Sequence, residues 1–335
     1  MTVCIFGLGA VGGLIGARLA RGGVAVTAVA RNATLANVRS HGLVLLEERD
    51  GAQVRESFPI EATERPEELG PQDVVVLTVK TTALPSVAGA ITPLLGPDTV
   101  VLSAMNGIPW WFFTGLPGAA GDLRLPSLDP GGLEKSIPGK QILGGVVHLS
   151  ASCPAPGTVR HGSGNRIIVG DPQGAPADAR VDRVAAVLRQ GGFDIDVSQR
   201  IQEDIWFKLW GNMTMNPLSA VTGATTDLIL DDPFVRQFAT RCMTEAADVG
   251  ARIGLPITQD PEDRHAVTRQ LGAFRTSMLQ DIDNGRSIEL DAMVTVVREL
   301  AAKLGVATPN IDTLLGVARL RARVLGLHPT DAANP

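Results

Sequence analysis

A segment near residue 210 carries side chains suited to acid–base chemistry. In KLWGNMTMN, Lys208, Asn212 and Asn216 recur every four residues, so on a helix they share one stripe that drifts by about 40° per step. Apolar residues surround them on nearly every side, which is typical of a buried helix. A lysine aligned with two carboxamides on such a helix predicts a polar cleft. A desolvated lysine can act as an acid near neutral pH.

A second interpretation of Lys208 stays open. Its ammonium can reach solvent on an apolar stem from a half-buried helix, although this leaves the aligned carboxamides unexplained. Pro217 follows Asn216 directly and disfavours helical geometry at the residue before it. The sequence therefore predicts a kink or break at Asn216.

The first thirty residues contain a pattern suited to holding a phosphate. Gly7, Gly9 and Gly12 have the spacing G-x-G-x-x-G between an apolar strand and a helical segment. The first glycine permits a tight turn, the second lets backbone approach a pyrophosphate, and the third lets helix and strand pack closely. These features predict a dinucleotide at a helix N-terminus. The residues assigned to this loop are Gly7, Leu8, Gly9, Ala10, Val11 and Gly12.

Polar side chains also follow the strands of the first half. Arg31 ends the strand VTAVAR with no acid beside it; an acid there would bind a ribose 2′-hydroxyl, whereas arginine accommodates the 2′-phosphate of NADP(H). Lys80 ends VVVLTVK and Asn106 follows DTVVLSAM. The carboxyl ends of parallel strands are where open α/β sheets bind ligands. The ordinary alternatives are solvated charges at Arg31 and Lys80 and a turn at Asn106.

The elements that must position these residues differ between the two halves of the chain. The first half alternates short apolar strands with helical patterns, which predicts a parallel α/β sheet, and residues 141–170 add two strands that form a hairpin-like extension. After residue 200 five helical patterns follow, at 201–223, 233–254, 261–285, 287–305 and 309–326. We therefore predict an α/β domain over 1–199 and an all-helical domain over 200–328.

Two further residues of the helical half carry weaker signals. Ser287 is a plausible N-cap, which would place Glu289 in the first turn of the next helix. A carboxylate there is explained by the helix dipole alone. Ser277, in RTSMLQD, has little intrinsic signal.

Composition excludes several classes of protein. The 335 residues carry a formal net charge of −5 and contain no tyrosine, which gives neither electrostatic attraction nor a stacking platform for nucleic acid. The three cysteines are far apart and in no metal-binding spacing. No uncharged run is long enough to span a bilayer, and the first residues lack a signal-peptide pattern. We expect a soluble cytoplasmic protein without a bound metal.

In combination the motifs resemble the ketopantoate reductase (2-dehydropantoate 2-reductase) family. The resemblance runs in order through GLGAVG, TVK, NG, KLWGNMTMNPLSA, SMLQD and SIELDAM, over most of the chain. It implies a Rossmann-like N-terminal domain and an all-α C-terminal domain like that of 6-phosphogluconate dehydrogenase. It also implies NADPH-dependent reduction of a 2-oxo acid, with ketopantoate as the leading substrate in pantothenate biosynthesis, and a possible homodimer.

The resemblance assigns a role to each matching residue. The glycine loop and Arg31 would hold the pyrophosphate and 2′-phosphate of NADPH, with Lys80 on the cofactor side. Asn106 would lie between cofactor and substrate. Lys208 would protonate the keto oxygen, and Glu289 would be a second catalytic residue beside the cofactor and the lysine. The substrate-binding residues would be Asn106, Asn212, Asn216 and Ser277.

Two departures from the family pattern keep alternatives open. Thr226 stands where many members have a further substrate-binding asparagine, and a Gly- and Pro-rich stretch, 110–140, begins with WWFF. These aromatic residues would form an apolar wall for a bulkier substrate or pack the insertion onto the protein surface. The alternatives to ketopantoate reduction are a paralogous 2-hydroxy acid dehydrogenase with a bulkier substrate and a non-catalytic NADPH-binding regulatory protein.

Overall fold

The structure is a computed structural model that describes residues 1–125, 127–129, 131–175 and 178–328. Its contacts divide the chain into two compact units. The first comprises 1–115 and 129–204, and the second comprises 116–128 and the residues from 205 onward. Part of the predicted insertion therefore belongs with the helical unit. The domain limits 1–199 and 200–328 remain a prediction about independently folding parts.

Ten strands form one sheet in the first unit. They are β1 (Thr2–Phe6), β2 (Ala25–Val29), β3 (Leu43–Arg49), β4 (Ala52–Phe58), β5 (Glu61–Thr63), β6 (Gln72–Leu77), β7 (Leu95–Ser103), β8 (Ile142–Ala155), β9 (Thr158–Gly170) and β10 (Asp194–Val197).

Helices connect these strands and build the second unit. They are α1 (Ala10–Arg21), α2 (Asn32–His41), α3 (Leu84–Ala90), α4 (Leu133–Ser136), α5 (Ala179–Gln190), α6 (Ile201–Thr222), α7 (Thr226–Asp231), α8 (Pro233–Arg252), α9 (Pro261–Arg269), α10 (Ser277–Asp283), α11 (Val296–Leu304) and α12 (Pro309–Val324). A π-helical turn, Asp291–Thr295, precedes α11.

The sheet has the order β4-β3-β9-β8-β7-β6-β1-β2-β5, with β10 paired to β9. The central strands β2, β1, β6, β7 and β8 are all parallel. The chain moves from β1 to β2 on one side, and β6 then lies on the other side of β1. Open α/β sheets bind ligands at such a reversal of strand order, so the residues that follow β1 and β6 are placed at the expected position.

One face of the sheet packs against α1 and α5 in a continuous apolar core. Alternate residues of the strands, such as Val3 and Ile5 of β1, meet Leu14 and Ile15 of α1 there. The central strands are buried on both faces, which explains their near-continuous apolar sequences. The predicted hairpin over 141–170 is present as the antiparallel pair β8–β9.

The hairpin of β3 and β4 is not among the strands predicted from the sequence. Asp50 and Gly51 at its tip both have positive φ, 52° and 76°, which a two-residue turn of this hand requires. The Asp-Gly pair between two strand-like runs was the available signal. This turn joins β3, which pairs with β9, to the edge strand β4.

Three features of the helical unit differ from the sequence prediction. The helix α6 continues through Pro217 to Thr222, so the break offered as one form of the predicted kink or break at Asn216 is wrong. Residues 213–220 are all buried, and this packing outweighs the local preference of the residue before proline. The single helix predicted over 261–285 is two helices, α9 and α10, and the short α7 was not predicted.

A cluster of charges is buried between α1 and β3. The Glu47 carboxylate accepts hydrogen bonds from Arg18 and Arg21 at 2.6 Å and from Arg49 at 3.0 Å. Arg18 and Glu47 are only 7% and 5% exposed. Burial alone would raise the pKa of Glu47, but the hydrogen bonds from the three arginines lower it to about 2. The carboxylate therefore stays charged in the folded protein at any moderate pH.

We predict that Glu47 makes folding sensitive to acid. Because its folded-state pKa lies below the ordinary value, its contribution, at most roughly 3 kcal/mol, is present above pH 4.5 and lost as the pH falls towards 2. Glu47→Gln should lower stability at pH 7 and flatten the acid dependence, as measured by urea unfolding across pH. Glu48→Gln, an exposed neighbour, is the control; an equal effect of both substitutions would contradict the prediction.

Candidate active site

The loops at the carboxyl edge of the central strands are tied to one another. Gly7 follows β1, and its N–H donates to the Val29 carbonyl at 3.0 Å. The Thr78 N–H and hydroxyl, beyond β6, donate to the carbonyls of Phe6 at 3.1 Å and Gly7 at 2.8 Å. These bonds hold the glycine loop between the ends of β2 and β6.

The contacts of Gly12 explain why this position has no side chain. A Cβ at Gly12 would lie 2.2 Å from both the Gly7 carbonyl oxygen and the Thr78 hydroxyl oxygen. No side chain fits, because the helix approaches the loop too closely. The hydroxyl of Thr78 therefore shapes the loop, a role that the sequence analysis missed although it noted the TVK motif.

The second glycine of the loop behaves differently. A Cβ at Gly9 would have no heavy atom within 4 Å, so the protein's own packing does not require glycine there. Gly9 is the N-cap of α1, and neither a side-chain cap nor a first-turn acid occupies that helix end. The first N–H groups of α1 have no partner within the helix. A loop that binds an anion must let the anion approach the backbone closely and must present N–H groups to it. Gly9 and the start of α1 provide both, so a pyrophosphate fits this loop.

The remaining candidates of the first unit lie at the same edge of the sheet. Arg31 is exposed and is the N-cap of α2, directly after β2, and Asn32 beside it has a left-handed φ of 51°. Lys80 and Asn106 each lie three residues beyond their strands, β6 and β7, and are half-buried. The structure thus brings Arg31, the glycine loop, Lys80 and Asn106 to the carboxyl ends of four neighbouring parallel strands.

The helical unit contains the other candidates. Lys208, Asn212 and Asn216 lie on α6, as predicted, with Lys208 and Asn212 half-buried and Asn216 only 6% exposed. The Asn216 amide nitrogen lies 3.5 Å from the sulfur of Met293 in the π-helical turn. Sequence reasoning missed Met293, and nothing in SIELDAM distinguishes a π turn from an α-helix.

Lys208 is electrostatically coupled to Glu289. Burial lowers the pKa of the Lys208 ammonium to about 8, because removal from water disfavours the charged form, while the negative charge of Glu289 partly opposes this. Such a lysine holds its proton at neutral pH and releases it more readily than an exposed lysine. These are the properties required of a general acid.

Glu289 is not in a first helical turn, contrary to the prediction. Residues 286–289 are non-helical and the helix begins at Leu290. The expected N-cap role of Ser287 is therefore wrong, and Glu289 lies immediately before the helix. Its carboxylate also interacts electrostatically with Lys208.

Ser277 and Thr226 belong to one part of the helical unit. Ser277 is exposed at the first residue of α10, and among the described residues no hydrogen bond joins its side chain to α6. Thr226 is buried; its N–H donates to Phe274 and its hydroxyl to Gly272, both at backbone carbonyls. The N–H and the hydroxyl of Thr226 are therefore both bonded to the loop that leads to Ser277.

The aromatic residues after Asn106 are all buried. Trp110, Trp111, Phe112 and Phe113 are 8%, 4%, 0% and 2% exposed, and the two phenylalanine rings meet edge to face. Their position in the first unit is therefore fixed by packing.

The described residues form neither a cluster of metal ligands nor a membrane-spanning helix. No group of three or more His, Cys, Asp or Glu side chains in this part of the chain is placed to hold a metal ion. Every described helix is too short or too polar to cross a membrane.

Comparison with known proteins gives matches along nearly the whole chain. The family model for ketopantoate reductase PanE/ApbA matches residues 3–110, and the model for its C-terminal part matches 200–322. A 2-dehydropantoate 2-reductase of Mesorhizobium japonicum is 38% identical over 98% of this chain and 100% of its own length. One of Halobacterium salinarum is 29% identical over 96% and 99%.

Solved structures share the architecture. The crystal structure of a Ralstonia solanacearum protein assigned as a ketopantoate reductase matches with a TM-score of 0.91 and 51% identity, over 97% of this chain and 99% of that one. A D-mandelate dehydrogenase in complex with NADH and anilino(oxo)acetate has a TM-score of 0.83 at 24% identity, over 98% and 100%, and shows the fold alone. The Rossmann-like sheet and the helical C-terminal part predicted from the sequence are confirmed. The chain is an oxidoreductase and belongs to the ketopantoate reductase family.

Proposed function

We propose that this protein reduces a 2-oxo acid to a 2-hydroxy acid with NADPH, and that the substrate is 2-dehydropantoate, yielding (R)-pantoate for pantothenate and coenzyme A biosynthesis. The observation that carries the proposal is Lys208, whose pKa is lowered to about 8 beside Glu289 on a helix that also aligns Asn212 and Asn216. The names of relatives at 38% and 29% identity support the choice of substrate.

The first unit supports a dinucleotide carrying a 2′-phosphate. The glycine loop presents the N-terminus of α1 without a competing acid. Arg31 is exposed at the end of β2, beside the N-terminus of α2, where a guanidinium can pair with a phosphate. Lys80 lies at the end of β6 and would add a second positive charge at this edge.

Each residue has a distinct role in the proposed reaction. NADPH, when bound, supplies the hydride that adds to the keto carbon. Lys208 holds a proton at Nζ and donates it to the keto oxygen as negative charge develops there. Asn106, Asn212, Asn216 and Ser277 orient the 2-oxo acid through hydrogen bonds. Glu289 keeps the lysine protonated by opposing the effect of its burial.

A paralogous reductase with a bulkier substrate is the second candidate. Thr226 favours it, because its hydroxyl donates to the Gly272 carbonyl in the loop before Ser277 and does not replace the side-chain donors of an asparagine. A substrate that lacks the group recognised by that asparagine would not need them. The class of reaction and the role of Lys208 would be unchanged.

Turnover against a panel of 2-oxo acids tests the function. We expect NADPH oxidation, followed by absorbance, with 2-dehydropantoate giving the highest kcat/KM. A higher value for a bulky or aromatic 2-oxo acid would favour the second candidate. Tight NADPH binding without turnover of any panel member would contradict the enzymatic proposal.

We predict that Lys208→Ala lowers kcat by about 10²-fold or more, because it removes the proton donor, while the Kd for NADPH changes little. The wild-type kcat should fall as the pH rises through about 8, since the protonated fraction of Lys208 declines there. Lys303→Ala, which removes an exposed lysine, is the control. A near-normal kcat in Lys208→Ala would show that Lys208 is not the proton donor and that its ammonium only reaches solvent.

We predict that Glu289→Gln moves the alkaline limb of the kcat profile to lower pH. Its carboxylate raises the pKa of Lys208, so its neutral replacement should lower that pKa further. Glu203→Gln, which removes an exposed carboxylate of the same helix, should leave the limb in place. A limb at the same pH in wild type and Glu289→Gln would exclude this electrostatic role.

We predict that Arg31→Ala weakens NADPH by about 10- to 100-fold, the loss expected for charge-assisted hydrogen bonds, and changes NADH binding much less. Calorimetric titration with both cofactors measures the two constants. Arg55→Ala removes the same charge from an exposed position on the edge strand β4 and serves as the control. Equal losses of affinity for NADPH and NADH would show that Arg31 does not bind the 2′-phosphate.

A homodimer in the cytoplasm completes the proposal. One structural relative at 21% identity is described as a dimeric ketopantoate reductase from Staphylococcus aureus. Light scattering by the purified protein measures the assembly directly.

A further inference from the structure

The chain makes a tight turn after its last described helix. Gly326 follows α12 with a left-handed φ of 69°, and its N–H donates to the Arg323 carbonyl at 2.9 Å. The N–H of Leu327 donates to the Ala322 carbonyl at 2.8 Å. This pair of bonds is a Schellman motif, which closes the end of a helix. The return segment, Leu327 and His328, therefore leaves α12 in a fixed direction.

The return segment packs on the stretch of chain around Glu289. The Ile288 N–H donates to the Leu327 carbonyl at 3.3 Å, and both side chains are buried. On the other side of Glu289, the carboxylate of Asp291 lies 3.5 Å from Nε2 of His328. The return segment thus contacts the residue before Glu289 and the second residue after it.

The contact between His328 and Asp291 joins a buried ring to a charged group. The His328 side chain is only 7% exposed, whereas that of Asp291 is 51% exposed. The imidazole is the largest influence that lowers the pKa of Asp291. The Thr295 hydroxyl, which donates to the same carboxylate at 2.8 Å, and the charge of Arg319 act in the same direction. Asp291 is therefore held as a carboxylate between His328 and the π-helical turn that it begins.

Glu289 itself lies outside the regular helices. Residues 286–289 are non-helical, so the repeated hydrogen bonds of a helix do not set the direction of this carboxylate. The start of the stretch is tied to α10, because the Arg286 N–H donates to the Asp281 carbonyl at 2.8 Å and the two side chains form an ion pair of 3.3 Å. The position of Glu289 therefore depends on tertiary contacts, and those with α10 and with the return segment flank it on both sides.

We propose that the return segment positions Glu289 for its interaction with Lys208, and that His328 is a positioning residue of the reaction. This inference rests on the proposed role of Lys208 and adds a residue at the far end of the helical unit's sequence. The same contact acts on the π-helical turn, whose Met293 sulfur lies 3.5 Å from the Asn216 amide nitrogen. One imidazole after α12 thus sets the placement of the charge partner of Lys208 and of the neighbour of Asn216.

Loss of this contact has an effect whose sign identifies the role of His328. The Glu289 carboxylate raises the pKa of Lys208, so its displacement lowers that pKa. A helical unit that merely loosens admits water to Lys208, and hydration raises its pKa towards that of an exposed lysine. A positioning role and a general packing role therefore change the Lys208 pKa in opposite directions.

Titration of Lys208 in the intact protein tests the proposal without substrate. The chain has five lysines, so protein labelled with 13Cε-lysine gives five signals, and Lys208→Ala assigns the one of interest. We expect its pKa to fall by about 0.5 to 1 in His328→Leu, part of the effect of one nearby opposite charge, and further in Glu289→Gln. The double variant should have the value of Glu289→Gln, because a carboxylate that is absent cannot be displaced. An unchanged or raised pKa in His328→Leu would overturn the proposal.

Matched variants separate this contact from its surroundings. His328→Gln keeps an N–H donor on a side chain of similar reach and should retain the wild-type pKa of Lys208. Asp291→Asn removes the charge that His328 contacts and should lower that pKa as His328→Leu does, which keeps the test decisive if His328→Leu does not fold. Arg298→Leu breaks an exposed ion pair of the same 3.5 Å length with Asp312 and should leave the pKa unchanged. A fall of equal size in Arg298→Leu would overturn the proposal.

The outcomes separate this inference from the proposed function. An equal Lys208 pKa in wild type and Glu289→Gln would overturn the interaction and the inference with it. A lower pKa in Glu289→Gln but not in His328→Leu would overturn the inference alone. The expected pKa values in a protein that turns over no 2-oxo acid would contradict the proposed reaction while supporting the positioning role. In an active enzyme, the alkaline limb of the kcat profile should move to lower pH in His328→Leu, and a limb at the wild-type pH would overturn that role.

Discussion

The hydrogen bond from the Thr78 hydroxyl to the Gly7 carbonyl is the interaction on which the cofactor end of this protein depends. It fixes the loop after β1 against the loop after β6, and together with the Gly7 N–H bond to Val29 it orders three strand ends at once. The start of α1 then packs so closely that Gly12 has no room for a Cβ. The proposed phosphate site, the position of Arg31 and the orientation of the α1 dipole all follow from this arrangement.

The helical unit meets a different constraint, which is the cost of removing a lysine ammonium from water. Burial lowers the pKa of the Lys208 ammonium, and the negative charge of Glu289 opposes this in part. The result is a lysine whose pKa is lowered to about 8 on a 22-residue helix. The Met293 sulfur next to Asn216 lies in the π turn that follows Glu289, so one irregular segment contacts the stripe on α6 and supplies its charge partner.

Sequence reasoning reached the features that depend on local pattern. The glycine spacing, the strand ends and the four-residue periodicity of Lys208, Asn212 and Asn216 are visible in the order of residues alone. The features it missed depend on tertiary contacts. The helix α6 continues through Pro217 among buried residues, and the loop at 270–276 divides a continuous helical pattern into α9 and α10. The segment 286–289 is non-helical although Ser287 resembles an N-cap. The role of Thr78 was equally hidden, because it depends on contacts with glycines that are distant in sequence.

The hairpin of β3 and β4 also determines how the sheet ends. The open edge strands of a sheet offer backbone N–H and C=O groups to another chain. The edge strands here include β5, which is only three residues long, and β4, which carries the exposed Arg55 and the half-buried, ion-paired Glu56. A short strand gives a second molecule little to pair with, and charged side chains oppose close stacking. These features of the edge strands discourage edge-to-edge pairing between copies of the sheet.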